Sequence, residues 1–294
     1  SQSLPDNTTY TVLMIGVAAV SVSAILIRLA DTDPLAIATY RMCVATLVIA
    51  LGTSLAKQKP FWNVLRPHQI PYLLASGILL AIHFTAFNYS LYLTSVANSV
   101  FLVTTAPIFV ALGSYWLLKE RISSLIIVSL ILSVAGGLIL SSGVGEEKSH
   151  LGGDALAVLA AATAAGYMLI GRKLRFHLPL LPYITVVYAV ASCCLLIATF
   201  PTQTELVGLP IQSYLYMISI GIICQVIGHS ALNWSLAYIS ATVVSISIRI
   251  EPVVATLLAI SILDESPSWI LIPGGALLTF AVYLAIRSEQ TTNS

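Results

Sequence analysis

Ten long apolar runs follow one another along this chain, at approximately 10–30, 34–56, 70–90, 94–118, 123–141, 152–172, 180–200, 212–233, 237–262 and 267–287. Most are near the roughly 20 residues a helix needs to cross a bilayer. Within lipid the backbone must satisfy its own hydrogen bonds, which leaves helices or a closed barrel. A barrel would show many shorter alternating segments, and this pattern lacks them. Composition points the same way: Asp, Glu, Lys and Arg make up 9% of the residues and hydrophobic types 58%, with a mean hydropathy of +0.95. A soluble domain carries about a quarter charged residues. Water is therefore not the solvent for most of this surface, and the expected fold class is an all-α polytopic membrane protein of ten transmembrane helices.

The first run is expected to be a membrane helix and not a cleavable signal, since it has no basic n-region and nine comparable runs follow it. Polar residues mark the clearest boundaries: Lys57-Gln58-Lys59-Pro60, Lys119-Glu120-Arg121, Gly145 to His150, and Arg172 to His177. With a cytoplasmic N-terminus, the inward loops and ends take Lys57, Lys59, Arg66, Lys119, Arg121, Arg172, Lys173, Arg175 and Arg287. The outward side takes Lys148, with Arg28 and Arg41 near the outer ends of the first two helices. That bias predicts both termini inside under the positive-inside rule. A net charge of +1 with no basic stripe gives no footprint for nucleic acid. Cys43, Cys193, Cys194 and Cys224 all fall in apolar runs without metal-ligand spacing, so they read as packing residues.

An offset of 145 residues aligns Pro34 with Pro179, Asn88 with Asn233, Ser90 with Ser235, Leu91 with Leu236, Pro107 with Pro252 and Glu120 with Glu265. The common offset predicts two related five-helix units, residues 1–141 and 152–294, joined by an extracytoplasmic connector at 142–151. Five is odd, so the second unit enters the membrane in the opposite sense. Such an inverted repeat can open a central site to either side in turn. Pro107 and Pro252 lie well inside their runs and should kink or loosen the fourth and ninth helices, either as gating elements or as static distortions. Ala157, Ala161 and Ala165 share one helical face suited to close packing.

Ionisable residues within apolar runs are costly unless they face a cavity or a partner. Arg249 and Glu251 are the most informative pair, as pathway or gating groups or as a structural polar network. His83 and His229 could change proton occupancy or simply make packing hydrogen bonds. Asn88 and Asn233 could orient a solute, cap helices or satisfy backbone groups. Arg41 could meet an anionic solute or Asp33, or reach toward water at the membrane interface. Tyr40, Phe84, Phe87, Tyr89, Phe101, Tyr167, Trp234 and Tyr238 are spread over helices that could surround a central volume. Trp62, Trp116 and Trp269 suit an interfacial belt. No nucleotide-binding loop or metal motif occurs, and Asp264-Glu265 has no partner geometry for hydrolysis.

The proline-containing fourth helix ending in Trp116-Leu117-Leu118-Lys119-Glu120-Arg121, and Ser240-Ala241-Thr242 through Glu251-Pro252 followed by Leu263-Asp264-Glu265, resemble the drug/metabolite transporter superfamily, specifically its EamA-like ten-helix exporters. The resemblance covers approximately residues 10–288 and is nearest to YddG-type amino-acid or metabolite exporters. It implies a ten-helix inverted repeat in a bacterial inner membrane, with a central cavity open in turn to opposite sides. On that reading the chain is a secondary transporter or facilitator, not an enzyme, and needs no cofactor. Its partners are the lipid bilayer and a small-molecule substrate such as an amino acid; proton coupling stays open, and it is expected to work as a monomer. A broad-specificity drug exporter and a non-transporting membrane scaffold remain the alternatives.

Overall fold

The computed structural model describes residues 6–55, 63–94, 96–142, 150–262 and 269–293. Lys57, Lys59, Trp62, Lys148, most of the 142–151 connector and the Leu263-Asp264-Glu265 motif lie outside the described residues. Among the described residues, ten helical stretches follow one another. The first half contains α1 (Asn7–Ser21) and α2 (Ser23–Ala30), α3 (Pro34–Leu55), α4 (Ile70–Leu93), α5 (Val96–Val103) and α6 (Ala106–Gly113), then α7 (Ser124–Ser142). The second half contains α8 (Leu151–Arg175), α9 (Leu180–Thr202), α10 (Ile211–Ser219) and α11 (Ser230–Ser235), α12 (Ala241–Ile248) and α13 (Glu251–Ile262), then α14 (Leu271–Asn293). Among the described residues, seven stretches are long and apolar enough to cross a membrane.

Local chemistry sets the ends. Asp6 caps α1 through its bonds with Thr9, and Asp33 accepts from the Leu35 amide at 2.7 Å to start α3 at Pro34. Asp31 ends α2 in the left-handed conformation, at φ 41°. The outside is apolar: Leu47, Leu51, Ile131, Ile197 and Ile272 are each more than 60% exposed. The inside combines large side chains such as Leu13, Leu80, Tyr183 and Tyr188 with small and polar ones, Ala157, Ala160, Ala161, Ser76 and Ser90, all fully buried. Lipid tails solvate the outward Leu and Ile, while the small residues inside let helices approach closely. Thus α4 packs on α8 and α9, and α7 packs on α14. A Cβ at Gly77 would come within 2.6 Å of Val190 on α9.

Four of the ten stretches are interrupted where the sequence suggests single helices. The fourth breaks at Thr104–Thr105 and the ninth at Arg249–Ile250, positions 145 residues apart. Pro107 and Pro252 are each the second residue of the helix that follows the break. Proline is tolerated in a first turn because its missing amide would have no partner there. The prolines therefore begin a second helix; they do not bend a continuous one. The first stretch pauses at Val22. The eighth passes through a ten-residue π-helical stretch, Ile220–His229, between α10 and α11.

Candidate functional site

The breaks and the π-helical stretch surround a central cavity of about 120 Å³. Its wall comes from both halves of the chain: α1 to α6 on one side, and α8, the π-helical stretch, α11, α12 and the start of α13 on the other. The lining is mainly apolar, with a few polar groups, which is the usual make-up of a small-molecule site.

Of the residues singled out in the sequence, Arg41, His83, Phe84, Phe87, Pro107, Tyr167, His229, Asn233, Arg249 and Glu251 line this cavity. The rest lie elsewhere. Tyr40 donates its hydroxyl to the Leu206 carbonyl at 2.7 Å and meets Tyr214 edge-on at 5.5 Å. Asn88 donates to the Pro34 carbonyl at 3.0 Å, stapling the end of α4 to the start of α3. Phe101 is packed beside Gly137 of α7, and Tyr238 lies against Trp234 with ring centroids 4.6 Å apart. Pro252 is one residue beyond the lining residue Glu251.

Arg41 requires a correction. The sequence places it near the outer interface, meeting an anionic solute or Asp33 or reaching toward water; of these, Asp33 and open water are not its company. It is instead 3% exposed and lines the cavity, with Nε donating to Oε1 of Gln225 at 2.8 Å and Nη1 to the Ser23 hydroxyl at 3.2 Å. Its guanidinium carbon lies 3.9 Å from the Phe84 ring centroid, a cation–π arrangement. Asp33 is engaged with the amides of α3. Gln225 was the missing signal: a carboxamide deep in an apolar run needs a buried partner. It reaches α3 because Gly221 and Gly228 bring the π-helical stretch close to α3 and α1; a Cβ at either would sit 2.8 Å from Val44 or Val20. Such stretches often sit at functional sites.

The remaining polar groups are held by neighbours. Nδ1 of His83 lies 2.8 Å from the Ala160 carbonyl, which can only accept, so Nδ1 carries the hydrogen. The Phe84 ring stands between His83 and His229, with centroids 5.0 and 5.4 Å away. Asn233 donates through Nδ2 to the Tyr167 hydroxyl at 2.5 Å and to the His229 carbonyl at 2.7 Å, leaving Oδ1 buried without a partner. Arg249 reaches from the α12–α13 break across to α7, where Nη2 donates to the Ser133 carbonyl at 2.5 Å. Toward one end of the bundle, Arg172 pairs with Glu120 at 2.9 Å and also bonds the Leu236 carbonyl, while Arg175 bonds the Asn233 carbonyl at 3.0 Å. These two cations close the C-terminal turn of α11 against α8. Among the described residues no cluster of three His, Cys, Asp or Glu side chains is placed to hold a metal.

Comparison with known proteins adds the family. The chain is 23% identical over 264 residues to the uncharacterized transporter YdfC of Bacillus subtilis (strain 168), spanning 90% of this chain and 85% of that protein. It is 24% identical over 258 residues to the pseudopaline exporter CntI of Pseudomonas aeruginosa, spanning 85% of each. A solved crystal structure superposes with a TM-score of 0.83 at 15% identity, over 99% of this chain and 100% of the other, which shows a shared fold. The EamA-like transporter family matches residues 7–142 and again residues 151–287. The cavity thus lies within a multi-pass membrane protein made for moving small molecules: the chain belongs to the EamA-like transporter family.

Proposed function

We propose that the chain exports small amphipathic metabolites, with amino acids as the leading class, from the cytoplasm by alternating access. The observation that carries this is the cavity itself, polar groups in an apolar wall, drawn from both halves at the point where the fourth and ninth stretches break. Broken helices at a repeat interface are where transporters of inverted-repeat design hold their solutes. Two halves, 1–141 and 152–294, running in opposite senses would give each gate an equivalent in the other half. Support comes from the two matches to the family and from the shared offset of α5 and α12, both eight residues long and 145 residues apart. The exporter direction is suggested by the printed name of the Pseudomonas relative.

On this reading both termini face the cytoplasm, the membrane is a bacterial inner membrane and one chain suffices. A cavity of about 120 Å³ lies below the roughly 300–1,000 Å³ of pockets that hold drug-sized ligands, which favours a small metabolite over a drug. Purified protein in sealed vesicles, preloaded with an amino-acid panel, tests the proposal. Counterflow of at least one labelled amino acid supports it. Folded protein that moves no solute, with or without a pH gradient, would overturn it in favour of a scaffold.

A further inference from the structure

Arg249 is a cation lining the cavity with no ion-pair partner among the described residues. It is 2% exposed; Nη2 is bonded to the Ser133 carbonyl, while Nε and Nη1 are buried without partners. A buried guanidinium with open donors is destabilising by itself, and inside a membrane such a group marks a ligand pathway. Arg41 is different. Gln225 and Ser23 accept its hydrogen bonds and the Phe84 ring covers its face. The lining holds two guanidinium groups, Arg41 and Arg249, and one carboxyl group, Glu251, so with neutral histidines its formal charge is positive. The repeat does not explain that charge: 145 residues earlier stand Thr104, where the second half has Arg249, and Ala106, where it has Glu251. Arg249 and Glu251 thus have no charged counterpart at the matching positions of the first half.

We propose that Arg249 receives a carboxylate of the cargo, and that the preferred cargo is a small monoanion: a hydroxy acid, a keto acid or an acidic amino acid, ahead of neutral amino acids and far ahead of amines. The inference rests on the transport reading above and narrows it. One uncompensated cation matches one negative charge. A phosphate group carries about −1.5 to −2 and would leave unmatched charge in a low-dielectric site. The body of the cargo would lie against Phe84, Phe87, Met168 and Leu232, which give the cavity its apolar side.

Phenyllactate, phenylalanine and phenylalaninamide share one skeleton and differ in charge, from anion through zwitterion to cation. Binding is read from thermal shifts of the purified full-length protein, and transport from competition in vesicles. Phenyllactate should bind roughly ten- to a hundredfold more tightly than the amide, the worth of one charge-assisted contact, with phenylalanine between. Arg249→Met should erase that order while the ligand-free protein keeps or gains thermal stability, because an uncompensated buried cation has gone. A purely structural arginine would instead lose stability on replacement. Arg249→Lys should keep part of the preference, and it supplies the reading if the methionine variant fails to fold. A flat or reversed order in the wild type, or an intact order in Arg249→Met, overturns the carboxylate site and leaves transport standing. Failure to move any solute overturns transport, while the order of the thermal shifts still decides the carboxylate site.

Discussion

Arg41 and Gln225 stand 184 positions apart in sequence and are joined by a 2.8 Å hydrogen bond that ties α3 to the π-helical stretch. Both are buried, so the bond is made where water cannot replace it. Gln225→Ala should leave Nε of Arg41 without an acceptor and cost about 1.5–3 kcal/mol, the range for hydrogen bonds to charged groups. Ser23→Ala removes the longer 3.2 Å bond from Nη1 and should cost about 1 kcal/mol or less. Thermal unfolding in detergent separates the two: the glutamine variant should melt several degrees below the serine variant.

Close approach of α4 and α9 depends on one missing side chain. A Cβ at Gly77 would lie 2.6 Å from Val190 Cβ and 2.9 Å from the Val187 carbonyl, and the second of these is backbone and cannot turn aside. Gly77→Ala should therefore destabilise the protein by about 1–3 kcal/mol, the usual cost of overpacking. Gly52 in α3 has nothing within 4 Å of its Cβ position. Gly52→Ala should be neutral or stabilising by up to about 1 kcal/mol, because alanine loses less backbone entropy in a helix. Equal melting temperatures for the two variants would mean that the α4–α9 contact is looser than the structure has it.

The helices were legible because an apolar run of bilayer length has few other solutions, and Asp33-Pro34 and Asp6 announce helix starts by familiar capping chemistry. The breaks were legible only in part: Pro107 and Pro252 mark the fourth and ninth helices as kinked or loosened, but not the residues at which the helix stops. Thr104 and Thr105 turn their hydroxyls back onto the Phe101 and Leu102 carbonyls, at 2.7 and 2.6 Å, and nothing in hydropathy separates such threonines from ordinary helical ones. Part of the cavity was readable from polar residues in apolar runs: His83, His229, Asn233, Arg249 and Glu251. Tyr40 and Tyr238 have the same composition as Tyr167 but point elsewhere, because the rotation of each helix is set by packing with distant segments. Arg41 was misplaced for the same reason: its partner lies on a stretch whose position depends on Gly221 and Gly228.

Asp6 lies outside the membrane-spanning stretch and gives a pH dependence with a definite sign. Its side chain accepts from the Thr9 hydroxyl and the Thr9 amide, both at 2.8 Å, and these bonds hold its carboxyl below the usual 3.8. A depressed carboxyl contributes its capping above the unfolded value and loses it as pH falls through the folded value. Amide protection at Thr9 and Tyr10 should therefore be full at neutral pH and drop below about pH 4. Asp6→Asn, which has no carboxyl to titrate, should show no such step in hydrogen exchange over the same range.

Pro107 and Pro252 make the last prediction, because they occupy matching places after the two breaks. In a continuous helix the amide at each position would bond the carbonyl four residues earlier, of Val103 or Ile248; proline has no amide to give. Alanine restores that donor and favours continuity by up to about 3 kcal/mol. On the alternating-access reading, α6 and α13 would pivot on Thr104–Thr105 and Arg249–Ile250, which requires that the breaks between these helices persist. Pro107→Ala and Pro252→Ala should each slow counterflow, and the double variant should slow it more than either. Substrate affinity should change little, since of the two only Pro107 lines the cavity, through a ring that alanine replaces with a smaller apolar group. The measurement is the exchange rate in vesicles beside the binding constant in detergent. A loss of affinity with an unchanged rate would assign the prolines to cavity shape and not to motion between the two faces.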